Sequence, residues 1–404
     1  GDVGMDLFQK CYDYTAAKEA MAAGIYPYFH YLETGQDTEV VMEGHHIIMI
    51  GSNNYQGLTS DSRVIEAAQE ALLKYGTGCS GSRFLNGTLK LHMELEERLA
   101  KFLNKEAAIT FSTGFQSNLG IISAIAGRND YIVCDKENHA SIYDACRLSY
   151  AKMVRYEHSD MEDLERVLSE IPENKGILIV TDGVFSMGGD ICKLPEIVEL
   201  AEKYGARVMV DDAHGLGVIG EHGRGTAEYF GLEDKVDIIM GTFSKSLASL
   251  GGFAAASEEV IHYIKHNSRP FIFSASIPPS NAAAALKALE IIEQEPWRMK
   301  NLLSIADYMR QGLKKMGIPI LESETPIIPI MTYDTERTFL ATKMLFEEGV
   351  YVNPVIVPAV PPGQCLIRTS YTATHTKEQM DRAMEAIGRV FSKLPPRKSK
   401  ESEE

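Results

Sequence analysis

The sequence predicts an α/β fold: a mostly parallel sheet with helices on both faces, joined to a smaller C-terminal α+β domain. Three observations carry that prediction. Short β-branched apolar runs alternate with helical patterns, the order expected of strand–helix–strand crossovers. The runs are almost continuously apolar, as suits strands covered on both faces. The chain has 404 residues, 45% hydrophobic and 24% charged, enough for a large core and two or three packed units.

In chain order, residues before about Asp61 read as an opening helix and a short extended arm. Strands are predicted over Ala107–Phe111, Tyr131–Cys134, Gly176–Thr181, Arg207–Val210 and Val236–Met240. Ser159 is placed to cap a helix whose Leu164, Val167, Leu168 and Ile171 share one buried face. Pro195 suits a first helical turn, and Gly205 closes that helix after Tyr204. Beyond about Ile291 the pattern turns to long helices with short strands around Ile327–Ile330 and Leu366–Thr369. The expected division is an arm over 1–60, a large domain over 61–290, a small domain over 291–395 and a frayed polar tail over 396–404.

The formal net charge of −16 argues against a nucleic-acid partner, which needs a clustered basic surface. It leaves room for an anionic small molecule in a locally positive pocket. Six cysteines show no CxxC pair and no metal spacing, the usage of a cytoplasmic protein with reduced thiols. There is no apolar run of about 18 residues, so no segment is predicted to span a bilayer, and peripheral membrane contact stays open. The N-terminus lacks the basic-then-apolar pattern of a signal peptide.

The segment Val210-Asp211-Asp212-Ala213-His214-Gly215 follows a predicted strand, and open α/β sheets bind ligands at that edge. The run Gly241-Thr242-Phe243-Ser244-Lys245-Ser246 follows the next strand. Two successive strands thus bring an acid and an amine to one edge. Pyridoxal phosphate needs that pair: the amine forms an imine with the cofactor aldehyde, and the acid keeps the pyridine nitrogen protonated. Desolvation near positive charge would lower the lysine pKa and free the amine as a base. Taken singly, Lys245 would be a surface lysine, Asp211 a helix cap and His214 a satisfied core histidine. Their coincidence at one edge points to a site. A further segment, Phe111 to Asn118, joins a strand to an apolar helix, and small residues at a helix N-terminus favour phosphate.

Together with SNNYQGL (52–58), YGTGCSGSRFLNGT (75–88), DKENHASIYD (135–144), TDGVFSMGGD (181–190) and LIRTSYTATHT (366–376), these segments resemble the α-oxoamine synthases. That family is a branch of the fold-type I, aspartate-aminotransferase-like pyridoxal-phosphate enzymes, and the likeness runs from about Tyr26 to about Leu394. The resemblance implies a large domain with a mostly parallel seven-stranded sheet, and a homodimer. It implies that Lys245 carries the cofactor, Asp211 meets the pyridine nitrogen, His214 meets the ring hydroxyl and His139 stacks on the pyridine face. These four would be the catalytic set. Ser186 would contact the phenolic side of the ring, with Gly114, Phe115, Thr242 and Ser244 at the phosphate end. Ser274 would reach the phosphate of a neighbouring subunit. Arg368 would grip the amino-acid carboxylate with its planar fork. Asn54 and Tyr55 would lie at the mouth, either one touching substrate. No metal is expected.

Members of the family condense a small amino acid with an acyl-CoA and release carbon dioxide and CoA. The pairs are serine with palmitoyl-CoA, glycine with acetyl-CoA, alanine with pimeloyl-CoA, and glycine with succinyl-CoA. The likeness in KYGTGCSGSRFLNGT, in VNPVIVPAVPPGQCLIR and in Asp182, where several sister activities have Glu, favours the bacterial serine and palmitoyl-CoA branch. L-serine and a long-chain acyl-CoA are therefore the expected substrates. The four prolines of Pro354–Pro362 would form a stiff apolar border to an acyl chain, or an ordinary rigid connection.

Overall fold

Residues 6–399 are described in a computed structural model. The chain opens with helices α1 (Gln9–Tyr12) and α2 (Ala16–Ala22) and a hairpin of β1 (Glu39–Met42) and β2 (His45–Met49). Helices α3 (Ser62–Tyr75) and α4 (Lys90–Phe102) precede β3 (Ala107–Phe111). Strict alternation follows: α5 (Gly114–Ile125), β4 (Asp130–Asp135), α6 (Ala140–Ser149), β5 (Lys152–Tyr156), α7 (Met161–Ser169) and β6 (Gly176–Asp182). It continues with α8 (Leu194–Tyr204), β7 (Arg207–Asp211), α9 (Thr226–Tyr229) and β8 (Ile238–Thr242), after which β9 (Gly252–Ala256) follows with no intervening helix.

Strands β3 to β9 form one seven-stranded sheet in the order β3-β9-β8-β7-β6-β4-β5. All run parallel except β9, which is antiparallel to both β3 and β8. Alternate residues enter different cores, as the two-residue strand period requires. Ile179, Val208 and Val210 join one buried cluster, whereas Leu178, Val180 and Met209 join another. The sheet is thus covered on both faces, which explains its continuous apolar runs.

The structure shifts some predicted bounds. The strand expected over 236–240 runs over Ile238–Thr242, in register with β7 through Met209↔Ile238 and Asp211↔Met240. Strands β6 and β7 each extend to include their terminal acid, and Asp182 pairs with Asp211 across the ladder. Ser159 does not cap α7. Asp160 does, its carboxylate accepting from the Asp163 N–H at 3.0 Å, while Ser159 takes a left-handed φ of 53°. Pro195 and Gly205 sit as predicted at the two ends of α8.

Helices α10 (Glu258–Asn267), α11 (Arg269–Ile272) and α12 (Pro279–Gln294) follow the sheet, and α12 packs Ala282, Ala285 and Leu289 into the same core as Val64 and Ala71 of α3. Then come α13 (Trp297–Lys315), β10 (Ile327–Tyr333), α14 (Thr335–Glu347), β11 (Val350–Tyr351), β12 (Asn353–Val355), β13 (Cys365–Ser370) and α15 (Lys377–Lys393). A small antiparallel sheet β10-β13-β12 shares a core with α13 and α15 through Leu302, Ile330, Ile367 and Ile387. Ile50, Tyr55 and Val184 belong to that cluster too, so the small sheet packs against the start of the chain and the loop after β6.

Residues 400–404 of the expected tail lie outside the described residues. Its described part is held: the Lys398 backbone N–H donates to Asp334 Oδ2 at 2.7 Å, and Arg397 lies over the Tyr333 ring. Among the described residues no helix is long and apolar enough to cross a membrane, and the six cysteines form no disulfide.

Candidate active site

The carboxyl ends of β6, β7 and β8 lie side by side and border an open cleft of about 550 Å³, part of it continuous with solvent. Nine residues singled out in the sequence line it together: Gly114, Phe115, His139, Ser186, Asp211, His214, Thr242, Ser244 and Lys245. Asn118, Ser141 and Asp182 line it as well, with no role assigned from the sequence.

Asp211 is held from two sides. Its Oδ2 accepts from Asn118 Nδ2 at 2.9 Å and its Oδ1 from the Ala213 N–H at 3.1 Å. Asn118 is one turn into α5 from Gly114, so the helix that presents its N-terminus to the cleft also braces the acid. Its Nδ2 donates to Ser141 Oγ too, at 2.9 Å. Burial pushes the Lys245 pKa below its ordinary value, against the pull of the Asp211 charge. Burial and the Asp211 charge together push the neighbouring Asp182 carboxyl well above the usual carboxylate range. The Asp182 Oδ2 accepts the His139 backbone N–H at 2.9 Å, and the His139 ring caps α6 by accepting from the Ser141 N–H at 3.1 Å.

At the other end, Thr113 caps α5 by accepting from the Gln116 N–H at 3.0 Å, so the first N–H groups of that helix point to the cleft. Thr242 Oγ1 and Ser244 Oγ lie 2.9 Å apart beside it. Gly114 permits this approach: a Cβ there would stand 3.0 Å from Thr242 Oγ1.

Four predicted residues stand outside the cleft lining. Ser274 Oγ accepts from Gln116 Nε2 at 3.2 Å, beside the start of α5. Arg368 is buried, its Nε donating to the Ser186 carbonyl and its Nη2 to Asn53 Oδ1 at 3.2 Å and to Tyr55 Oη at 3.3 Å. Tyr55 is fully buried and in turn meets His214 Nδ1 at 2.8 Å. Asn54 turns its Nδ2 to Thr59 Oγ1 at 2.8 Å, so it is Asn53 that faces Arg368. Asn53 and Asn118 both fall in segments with a readable signal, but a polar side chain inside such a segment does not reveal its partner.

The cleft suits pyridoxal phosphate on its own donor set. It holds two acids, Asp182 and Asp211, and one buried amine, with a helix N-terminus and two hydroxyls for an anion. The buried Oδ1 of Asn118 has no protein partner, leaving an acceptor for a bound group. Among the described residues no group of three or more His, Cys, Asp or Glu side chains could hold a metal.

Comparison with known proteins agrees with this geometry. The family model for aminotransferase class I and II matches residues 45–387. The serine palmitoyltransferase of Sphingobacterium spiritivorum is 56% identical over 385 residues, 95% of this chain and 96% of that protein. The 8-amino-7-oxononanoate synthase of Thermosipho melanesiensis is 46% identical over 92% of this chain and 95% of its own. A solved high-resolution structure of SPT with a PLP internal aldimine superposes with a TM-score of 0.93 at 38% identity, covering 96% of this chain and 99% of that one. The chain belongs to the aminotransferase class I and II family, and within it to the α-oxoamine synthases that its sequence resembles.

Proposed function

We propose that this protein is a pyridoxal-phosphate-dependent acyltransferase that condenses L-serine with palmitoyl-CoA to 3-ketosphinganine, releasing CoA and carbon dioxide. One observation carries the reading: Asp211 and Lys245 enter a single cleft from the ends of adjacent strands. The serine palmitoyltransferase relative, at 56% identity against 46% for the 8-amino-7-oxononanoate synthase, supports serine and a long acyl chain over alanine and pimeloyl-CoA. Glycine with acetyl-CoA is the remaining alternative.

When bound, pyridoxal phosphate supplies an electron sink for negative charge at the amino-acid Cα. Lys245 would hold the cofactor, and the burial that lowers its pKa favours the neutral amine needed to move the Cα proton. Asp211, oriented by Asn118, holds a proton on the pyridine nitrogen. The His139 ring borders the cleft, with its backbone fixed by Asp182. Arg368 receives the substrate carboxylate. The α5 N-terminus with Thr242 and Ser244 receives the phosphate.

The active species is a cytoplasmic homodimer in which Ser274 serves the neighbouring subunit's phosphate; light scattering at about twice the chain mass would support it. The deciding experiment compares CoA release from serine, glycine and alanine, each with short and long acyl-CoA. Serine with palmitoyl-CoA is expected to give the highest kcat/KM. Preference for alanine with pimeloyl-CoA would replace this reading. Amino transfer to a keto acid without CoA release would make the protein an aminotransferase.

A further inference from the structure

Strands β4 and β6 are neighbours, and the loops that leave them carry His139 and Ser186 into the cleft. A partly buried histidine, His158 on the loop after β5, ties the two loops together. Its Nδ1 lies 2.8 Å from Asp135 Oδ1 at the end of β4, and its Nε2 lies 2.6 Å from Asp190 Oδ2 in the loop after β6. Glu137 Oε2 stands 3.3 Å from the same Nε2. Carboxylate oxygens only accept, so both ring nitrogens donate and the ring is an imidazolium. Burial opposes that charge, but the bonds to Asp135 and Asp190 outweigh it and hold the pKa up at about 10.

Both ends of this bridge are fixed. Asp135 is buried and also accepts from the Glu137 and Ser159 N–H groups, at 2.8 and 2.9 Å. The Phe185 ring meets the imidazole edge to face, with centroids 4.4 Å apart. Phe185 and Asp190 close a turn: the Phe185 N–H donates to the Asp190 carbonyl at 2.9 Å, and the Gly189 N–H to the Phe185 carbonyl at 2.8 Å. On its far side the turn is pinned by Thr325 Oγ1, which donates to the Gly189 carbonyl at 2.7 Å. Inside it, the Ser186 carbonyl accepts from Arg368 Nε. The turn therefore stands between His158 and the guanidinium.

We propose that His158 is a positioning residue for the substrate carboxylate, clamping the Phe185–Asp190 turn so that the Ser186 carbonyl orients Arg368. The proposal rests on the carboxylate role read for Arg368 above. None of His158, Asp135 and Asp190 lines the cleft, so the effect passes through the turn and not by contact with ligand.

The test uses the holoenzyme of His158→Gln and of Asp190→Asn. L-serine affinity, read from the absorption change of the bound cofactor with no acyl donor present, is expected to weaken about tenfold in each. The KM for acyl-CoA should stay within about twofold, a split that general loosening of the fold would not give. Adding His158→Gln to Arg368→Lys should weaken serine binding little further, because both act on one contact. Unchanged serine affinity in folded, cofactor-loaded variants overturns the proposal, even if their thermal midpoints fall. Should His158→Gln fail to take up cofactor, Asp190→Asn carries the test. The serine titration needs no thioester, so failure of the palmitoyl-CoA reading in the CoA-release assay leaves this result separately readable.

Discussion

The phenolic oxygen of Tyr55 lies 2.8 Å from Nδ1 of His214. Arg368 can only donate, so the phenol accepts from Nη2 and passes its own proton toward His214. Burial keeps the phenol pKa raised and the group protonated. Burial, with the charges of Lys245 and Arg368, pushes the His214 pKa well below its ordinary value. The imidazole is therefore neutral, accepting at Nδ1 and carrying its proton on Nε2.

Tyr55→Phe cuts this chain at its middle. The buried Nδ1 of His214 would lose its donor, a loss of about 1–3 kcal/mol in stability measurable by denaturant unfolding. Turnover should fall about tenfold as the ring loses its fixed tautomer. Parent-like stability and turnover together would show that the contact does no positioning.

Asp211→Asn should still bind pyridoxal phosphate, visible as the retained absorption band. CoA release should drop by about 100-fold or more, a barrier increase of about 2.7 kcal/mol. Near-normal turnover would remove Asp211 from its role. Asn118→Ala, which frees one carboxylate oxygen without touching the charge, should give a smaller loss of about tenfold.

Lys245→Ala should yield no lysine–cofactor adduct after borohydride reduction and mass analysis of the peptides. An adduct recovered on another lysine would reject the assignment.

A buried histidine, His375, ties the segment after β13 to the end of β2. His375 accepts from the Thr372 N–H at its Nδ1 and meets the Met49 carbonyl at its Nε2, both at 2.9 Å, and burial lowers its pKa from 6.5 to about 4. A depressed folded pKa means that the unfolded chain binds the extra proton first, so stability is full above pH 6.5 and falls toward pH 4. The total loss from this group is on the order of 3 kcal/mol, at about 1.4 kcal/mol per pH unit. His375→Gln should unfold with a shallower dependence on pH across that window. An equal slope in denaturant titrations would assign the acid sensitivity elsewhere.

Much of the fold was legible because the sheet is buried on both faces, so its central strands read as apolar runs with little polar interruption. Strand β9 was not, since Gly-Phe-Ala-Ala-Ala has little β-branched character and owes its conformation to pairing between β3 and β8. Asp211 and Lys245 could be read because each follows an apolar run at the same sheet edge. Asn53 and Asn118 could not be assigned roles, because their function lies in holding another side chain across a long sequence separation. Ser159 misled as a cap because the stronger acceptor stands one residue later, at Asp160.

The placement of the acid has one more consequence. Residue 211 is the last rung of a ladder, facing Asp182 on one flank and Met240 on the other. Backbone bonds of 2.8 Å stitch that rung on both sides, from the Gly183 N–H to the Asp211 carbonyl and from the Asp212 N–H to the Met240 carbonyl. The interval between the carboxylate and the chain that leads to the amine is consequently gauged by interstrand spacing, about 4.8 Å per strand. Surface loops can breathe around the cleft without changing that gauge, which yields only when the sheet itself comes apart.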